Sequence, residues 1–181
     1  MEYLALIGIT GSGKSTLEEK MAKLGYKKNV SFTTRPKEPN EKNLEDYIFL
    51  DSRDKFKELV DDGTIIEYIE YVGNLYGTQR PFGSTKFVSV CEVNGAKALK
   101  NIYGEQVKII YLKVSQQEAY RRVVERQQSG RNTNNISKRV IEDTSRLEEM
   151  ERCADIILDA SISSNSQAKK LLEILRSKEK H

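Results

Sequence analysis

Apolar and polar positions alternate along this chain in blocks that change period, and the blocks predict the elements. Tyr3–Ile9 is a short, nearly continuous apolar run followed by glycines, which predicts a strand buried on both faces of a parallel sheet. Lys14–Leu24 predicts a helix that ends at Gly25. Lys28–Phe32 predicts a second strand, Thr33–Glu45 a polar loop broken by Pro36 and Pro39, and Tyr47–Leu50 a further short strand. A charged amphipathic helix is expected over Ser52–Asp62, with Phe56, Leu59 and Val60 on one side and Gly63 at its end. Thr64–Gly77 alternates like a hairpin turning at Gly73–Asn74. Phe87–Cys91 and Val107–Val114 are again buried-strand runs. Helices are expected over Gln116–Gln128 and Ile136–Arg152, separated by the polar stretch Ser129–Asn135. A last strand at Ala154–Leu158 and a last helix at Gln167–Lys178 follow. Strands alternating with helices behind a leading glycine loop predict a three-layer α/β fold with a parallel central sheet.

The 181 residues suit one domain, and no repeat or linker divides them. Thirty Lys and Arg against 27 Asp and Glu give a net charge of only +3, so no strong basic field points to nucleic acid or an anionic membrane. Cys91 and Cys153 lie far apart with no metal-ligand spacing, and read as buried free thiols. No apolar run is long enough to span a bilayer and no leader is visible, so a soluble, cytoplasmic protein is expected. His181 is the only histidine and stands at the C-terminus.

Gly8–Ser15 fits G-x-x-x-x-G-K-[ST] after a buried strand and at the opening of a helix, where that motif has mechanical meaning. Its glycines let backbone N–H groups wrap a phosphate, Lys14 reaches the outer phosphates, and the Ser15 hydroxyl is a ligand for Mg²⁺. The candidate ATP-binding residues are therefore Gly8, Ile9, Thr10, Gly11, Ser12, Gly13, Lys14, Ser15 and Thr16. The motif indicates a P-loop NTPase fold and leaves the phosphate acceptor open.

Beyond the loop, Val30–Pro36 carries S-x-T-T-R, Glu67 follows, and Gly73–Thr78 reads G-N-x-Y-G-T. In this order and spacing the chain resembles the guanylate kinase family through nearly its whole length, including a Lys138–Arg139 pair at the end of a lid. The resemblance implies an ATP:GMP (or dGMP) phosphotransferase acting with Mg²⁺, as a monomer or homodimer. It implies a core (1–29, 78–122, 140–181), an inserted monophosphate-binding α+β lobe (30–77) and a lid (123–139). Ser31, Glu67 and Thr78 would read the guanine, while Arg35, Tyr47, Tyr76 and Gly77 would hold the rest of the acceptor. Arg139, with Arg126 or Arg131, would close on the transferring phosphoryl group beside Lys14 and Arg35. The chemistry of the base agrees, because a carboxylate accepts from guanine N1–H and N2–H₂ whereas adenine turns a lone pair toward it. A mismatch of that kind discriminates by roughly 10⁴ or more.

Several positions depart from the family pattern. Glu38 stands where a phosphate-binding arginine is usual, with Lys37 as a substitute if the loop shifts by one residue. Val90–Glu92 replaces D-x-[DE], leaving Glu92 as the acidic group for the metal, and Leu44 replaces a glycine. The Thr78–Glu92 interval is shortened, with Pro81–Gly83 where a helix is usual. These departures keep two other readings open, the same chemistry on a modified purine nucleotide or sugar phosphate, and a non-catalytic interaction module. The intact Lys14 and Ser15 favour catalysis.

Overall fold

The computed structural model describes residues 1–37, 41–45, 47–71, 73–128 and 143–178. In chain order its elements are β1 (Glu2–Ile7), α1 (Lys14–Lys23), β2 (Lys27–Lys28), β3 (Phe32–Thr33), β4 (Ile48–Phe49), α2 (Arg53–Asp61), β5 (Ile65–Tyr71) and β6 (Asn74–Gln79). There follow β7 (Lys86–Val90), α3 (Val93–Tyr103), a 3-10 turn (Gly104–Gln106), β8 (Val107–Lys113), α4 (Gln116–Gln128), α5 (Leu147–Cys153), β9 (Ile156–Asp159) and α6 (Ser164–Lys178).

Because side chains alternate across a strand, β1 feeds two cores at once. Tyr3, Ala5 and Ile7 pack with Val93, Ala96 and Leu99 of α3 and Met150 of α5, while Leu4 and Leu6 pack on the other face with Leu17 and Met21 of α1 and Leu171 of α6. The sheet between these helical layers is parallel throughout, in the order β2-β7-β1-β8-β9. That is the expected three-layer α/β arrangement, and its continuous apolar strands follow from burial on both faces. Among the described residues no helix is long and apolar enough to cross a membrane.

A second sheet, β4-β3-β6-β5, is built from the segment between β2 and β7. Its own core joins Phe32, Phe56, Ile65 and Leu75, with α2 lying across it. Helix α2 starts where Ser52 caps it, the Ser52 Oγ accepting from the Lys55 N–H at 3.2 Å. The expected hairpin is present as β5 and β6 around Gly73.

Three expectations change. The strand expected over Lys28–Phe32 is two strands in two sheets, because the chain crosses between them at Asn29–Ser31 and the apolar run there is too sparse to continue one ladder. Helix α3 has no counterpart among the elements that the sequence pattern predicts. Asn94, Gly95 and Asn101 mask the helical spacing of Val93, Ala96 and Leu99, which tertiary burial then enforces. The helix expected over Ile136–Arg152 falls partly outside the described residues, as does Ser129–Asn135. Its described part is a helical turn at 143–145, a turn at Arg146, and then α5.

Candidate functional site

The glycine loop runs from the end of β1 into α1. Gly13 caps α1 at φ 96° with no side-chain cap, so the first N–H groups of the helix face the loop, and a helix end of that kind suits an anion. Gly11, at φ 87°, passes so close to the Ala119 carbonyl that a Cβ would strike it. Glycine is needed there on both counts. Lys14 curls over the loop, its Nζ donating to the Gly8 carbonyl at 2.6 Å and the Ile9 carbonyl at 3.1 Å. The Thr10 N–H donates to Asp143 Oδ2 at 2.5 Å, which ties the chain after residue 142 to the loop.

Facing this loop across a cleft of about 350 Å³ is the second sheet. Thr10, Gly11, Gly13, Lys14 and Ser15 line one wall, and Ser31, Tyr47, Glu67, Tyr76, Gly77 and Thr78 line the other. Glu92, the N-cap residue of α3, also lines it with Val90 and Cys91. Thus most of the candidate residues, scattered from 10 to 92 in sequence, meet in one cavity.

The antiparallel register of β5 and β6 sets Glu67 opposite Thr78, whose Oγ1 donates to Glu67 Oε1 at 2.8 Å. Burial raises the Glu67 carboxyl above its ordinary value and the charge of Glu92 adds to this, while the Thr78 hydrogen bond works the other way. Helix α3 approaches this pair at Gly95, where a Cβ would lie 2.7 Å from Glu67 Oε1 and 3.2 Å from Thr78 Oγ1. Tyr47 and Tyr76 meet edge to face with ring centroids 6.0 Å apart. The Cys91 thiol is pushed up to about 12 by burial, so it is an unreactive neutral group on the cleft wall.

Arg35 is not among the residues lining the cleft. Its guanidinium pairs with Glu41 at 2.6 Å, donates to the Pro36 carbonyl at 2.9 Å, and lies over the rings of Tyr47 and Phe49. Gly8, Ile9, Ser12 and Thr16 belong to the loop and its helix without lining the cleft, and Ser12 is fully buried with no hydrogen-bond partner for its Oγ among the described residues. The Arg126 side chain, Arg131, Lys138, Arg139 and Glu38 lie outside what the structure describes.

The structure adds Asp143 and Arg146 to the cleft and Gly95 behind it. Arg146 is held by Glu149 Oε2 and Asn94 Oδ1, each at 3.0 Å. In sequence these two are ordinary members of a charged helical stretch, and nothing in their spacing marks them. For a divalent cation the cleft offers hard oxygen donors in the Ser15 hydroxyl and the Glu92 carboxylate, while its other two carboxylates are engaged, Glu67 by the Thr78 hydroxyl and Asp143 by the Thr10 N–H. No group of three or more His, Cys, Asp or Glu that could cage a metal occurs among the described residues. Such a sparse donor set fits a magnesium ion carried largely by water and phosphate oxygens.

A parallel α/β sheet whose first strand delivers a glycine loop to a helix start without a side-chain cap defines a P-loop NTPase fold. The sequence pattern of guanylate kinases matches residues 1–178, and the chain belongs to the guanylate kinase family. It is 36% identical over 132 residues to the guanylate kinase of Lactobacillus johnsonii, covering 68% of this chain and 64% of that protein. It is 38% identical over 131 residues to a guanylate kinase of Thermus thermophilus, covering 67% of this chain and 58% of that protein. The matched region is thus less than two thirds of either relative's length. The crystal structure of guanylate kinase from Anaplasma phagocytophilum superposes with a TM-score of 0.73 at 25% identity, covering 98% of this chain and 85% of that one.

Proposed function

We propose that this chain transfers the γ-phosphoryl group of ATP to GMP or dGMP. The observation that carries the reading is the Glu67–Thr78 pair, held across one cleft from Lys14 and Ser15. Glu67 accepts from guanine N1–H and N2–H₂ with the lone pairs that the Thr78 hydroxyl leaves available. Ser31 and Thr78 complete the base site. Tyr47, Tyr76 and Gly77 flank the sugar and phosphate, and Arg35 turns from Glu41 toward the acceptor phosphate. The second sheet with its connections (30–77) serves as the acceptor lobe, residues 1–29, 78–122 and 140–181 as the core, and 123–139 as the lid carrying Arg126, Arg131 and Arg139.

In the reaction an acceptor phosphate oxygen bonds to the γ-phosphorus as the bond to the bridging oxygen of ADP breaks, and ADP leaves with that electron pair. The acceptor phosphate, with a second pKa of about 6, is largely a dianion at neutral pH and needs no general base. Catalysis therefore rests on positioning two anions and on stabilising charge as it moves. Lys14 supplies a cation at the outer phosphates, and the loop amides hold the inner ones. Ser15 and Glu92 would hold Mg²⁺, which when bound neutralises the β- and γ-phosphate oxygens. Asp143, fixed to the Thr10 amide, holds that part of the loop in place.

The test is a set of initial rates with ATP and Mg²⁺ against GMP, dGMP, AMP, CMP, UMP and dTMP, for wild type and Glu67→Gln. Turnover is expected with the guanine nucleotides alone, and the variant should lose about 10²-fold or more in kcat/KM because an amide cannot accept from both guanine donors. Turnover only with AMP or a pyrimidine nucleotide would overturn the reading. No turnover with any acceptor, despite tight ATP binding, would favour the non-catalytic module instead.

A further inference from the structure

The second sheet is joined to the main sheet at two crossings, one after β2 and one after β6. Two consecutive side chains at the first crossing each bridge the two bodies. Lys28 Nζ pairs with Glu18 Oε2 of α1 at 3.2 Å and donates to the Glu45 carbonyl, in the connection to β4, also at 3.2 Å. Asn29, only 4% exposed, does the same inside the molecule. Its Nδ2 donates to Tyr3 Oη of β1 at 2.9 Å and to the Gln79 carbonyl at the end of β6 at 2.7 Å, while its backbone N–H donates to the Val88 carbonyl of β7 at 2.9 Å.

One planar amide group therefore holds the first crossing, the second crossing and the central strand together. The Gln79 carbonyl can only accept, which fixes which end of the Asn29 amide faces it. Tyr3 Oη is anchored in turn by Ser89 Oγ at 2.8 Å, and Ser89 Oγ contacts Cys91 Sγ at 2.9 Å. Burial raises the Tyr3 hydroxyl well above its ordinary value, so it stays a neutral partner at every working pH. A network closed in this way and shielded from water resists loosening more than its separate bonds would.

We propose that Asn29 is the pivot pin of the acceptor lobe, a positioning residue that sets the Glu67–Thr78 base site at its working distance from the phosphate loop. This rests on the acceptor reading above. No other side chain of this length has two N–H donors on one nitrogen, and an aspartate there would turn carboxylate lone pairs on the Gln79 carbonyl. A shift of about 1 Å in a reacting group costs on the order of 10²-fold in rate, so a loose pin should be visible in catalysis while the phosphate loop, built wholly on the core, keeps its affinity for ATP.

The experiment compares wild type, Asn29→Asp and Tyr3→Phe in the full chain. KM for GMP, kcat and the affinity for a fluorescent ATP analogue are measured together with the interlobe distance between spin labels at the exposed positions Lys57 and Lys170. The expected result for Asn29→Asp is a broadened or shifted distance distribution, a raised KM for GMP and lowered kcat, and ATP affinity within about twofold of wild type. Tyr3→Phe, which deletes only a hydroxyl, should give the same pattern more weakly, and it decides the matter if Asn29→Asp does not fold. Unchanged distances and KM in a folded variant would overturn the proposal, as would an equal loss of ATP and GMP affinity, which would mark a general loss of stability. Absence of GMP turnover in wild type would sink the functional reading, and the distance measurement would still test the pin.

Discussion

Glu67 carries a cost that its neighbours only partly offset. Burial and the Glu92 charge raise its carboxyl above the value of an unfolded chain. Between the unfolded and folded values the native state therefore binds more protons, so stability falls as pH rises through that window and stays lowered above it. Glu67→Gln keeps an acceptor for the Thr78 hydroxyl and removes the charge. The variant should melt higher than wild type at neutral pH, and this advantage should vanish at about pH 3, below the unfolded value, where the wild-type carboxyl is protonated in both states. Thermal melts at the two pH values check it, and an equal gain at both would show that charge is not the cause. Because the same substitution should remove base recognition, the group that weakens the fold would be the one that selects the substrate, a trade known for functional sites. Glu67 and Thr78 were legible in the sequence because they sit in an ordered series of motifs. Asp143 and Arg146 were not, since a charge within a charged helix looks the same whether it faces solvent or a cleft.

Among the elements, α3 shows why local reading fails where packing decides. Its Asn94 and Gly95 weaken the helical signal, yet Gly95 is a position at which the helix passes close to Glu67 and Thr78. Replacing it with alanine should favour the isolated helix by up to about 1 kcal/mol. The added Cβ should nonetheless push the Glu67 carboxylate off Thr78, since it would stand 2.7 Å from Oε1. Gly95→Ala is therefore expected to keep or raise the melting temperature and to raise KM for GMP by about tenfold or more. A variant with wild-type KM would show that Glu67 can retreat without loss. The strands β1, β7 and β8 were legible because burial on both faces leaves an apolar run, here too short for a buried helix. The split of Lys28–Phe32 into β2 and β3 was not, because which sheet a two-residue strand joins depends on partners far along the chain. Arg35 likewise belongs to a motif whose order is readable, while its engagement with Glu41 depends on how the loop folds.

For the molecule as a whole, the placement of the second sheet between β2 and β7 governs when each part can form. The partners within β3, β4, β5 and β6 all lie between residues 32 and 79, so that body can assemble from one continuous stretch. Strand β1 must wait, because Glu2 pairs with Lys86 and Tyr3 with Val107. Closing such long loops before any contact repays the lost chain entropy slows folding. Pulsed hydrogen exchange during refolding should thus protect the amides of β5 and β6 before those of β1, and simultaneous protection would show that the two bodies fold as one. During synthesis the same order holds. The second sheet can take shape while the glycine loop, although translated first, still lacks the strands that shape it. On the proposed function, a nascent chain stalled before β8 would then present Glu67 and Thr78 already paired while the glycine loop still lacks its cradle, and would be unable to commit ATP until the rest of its sheet arrives.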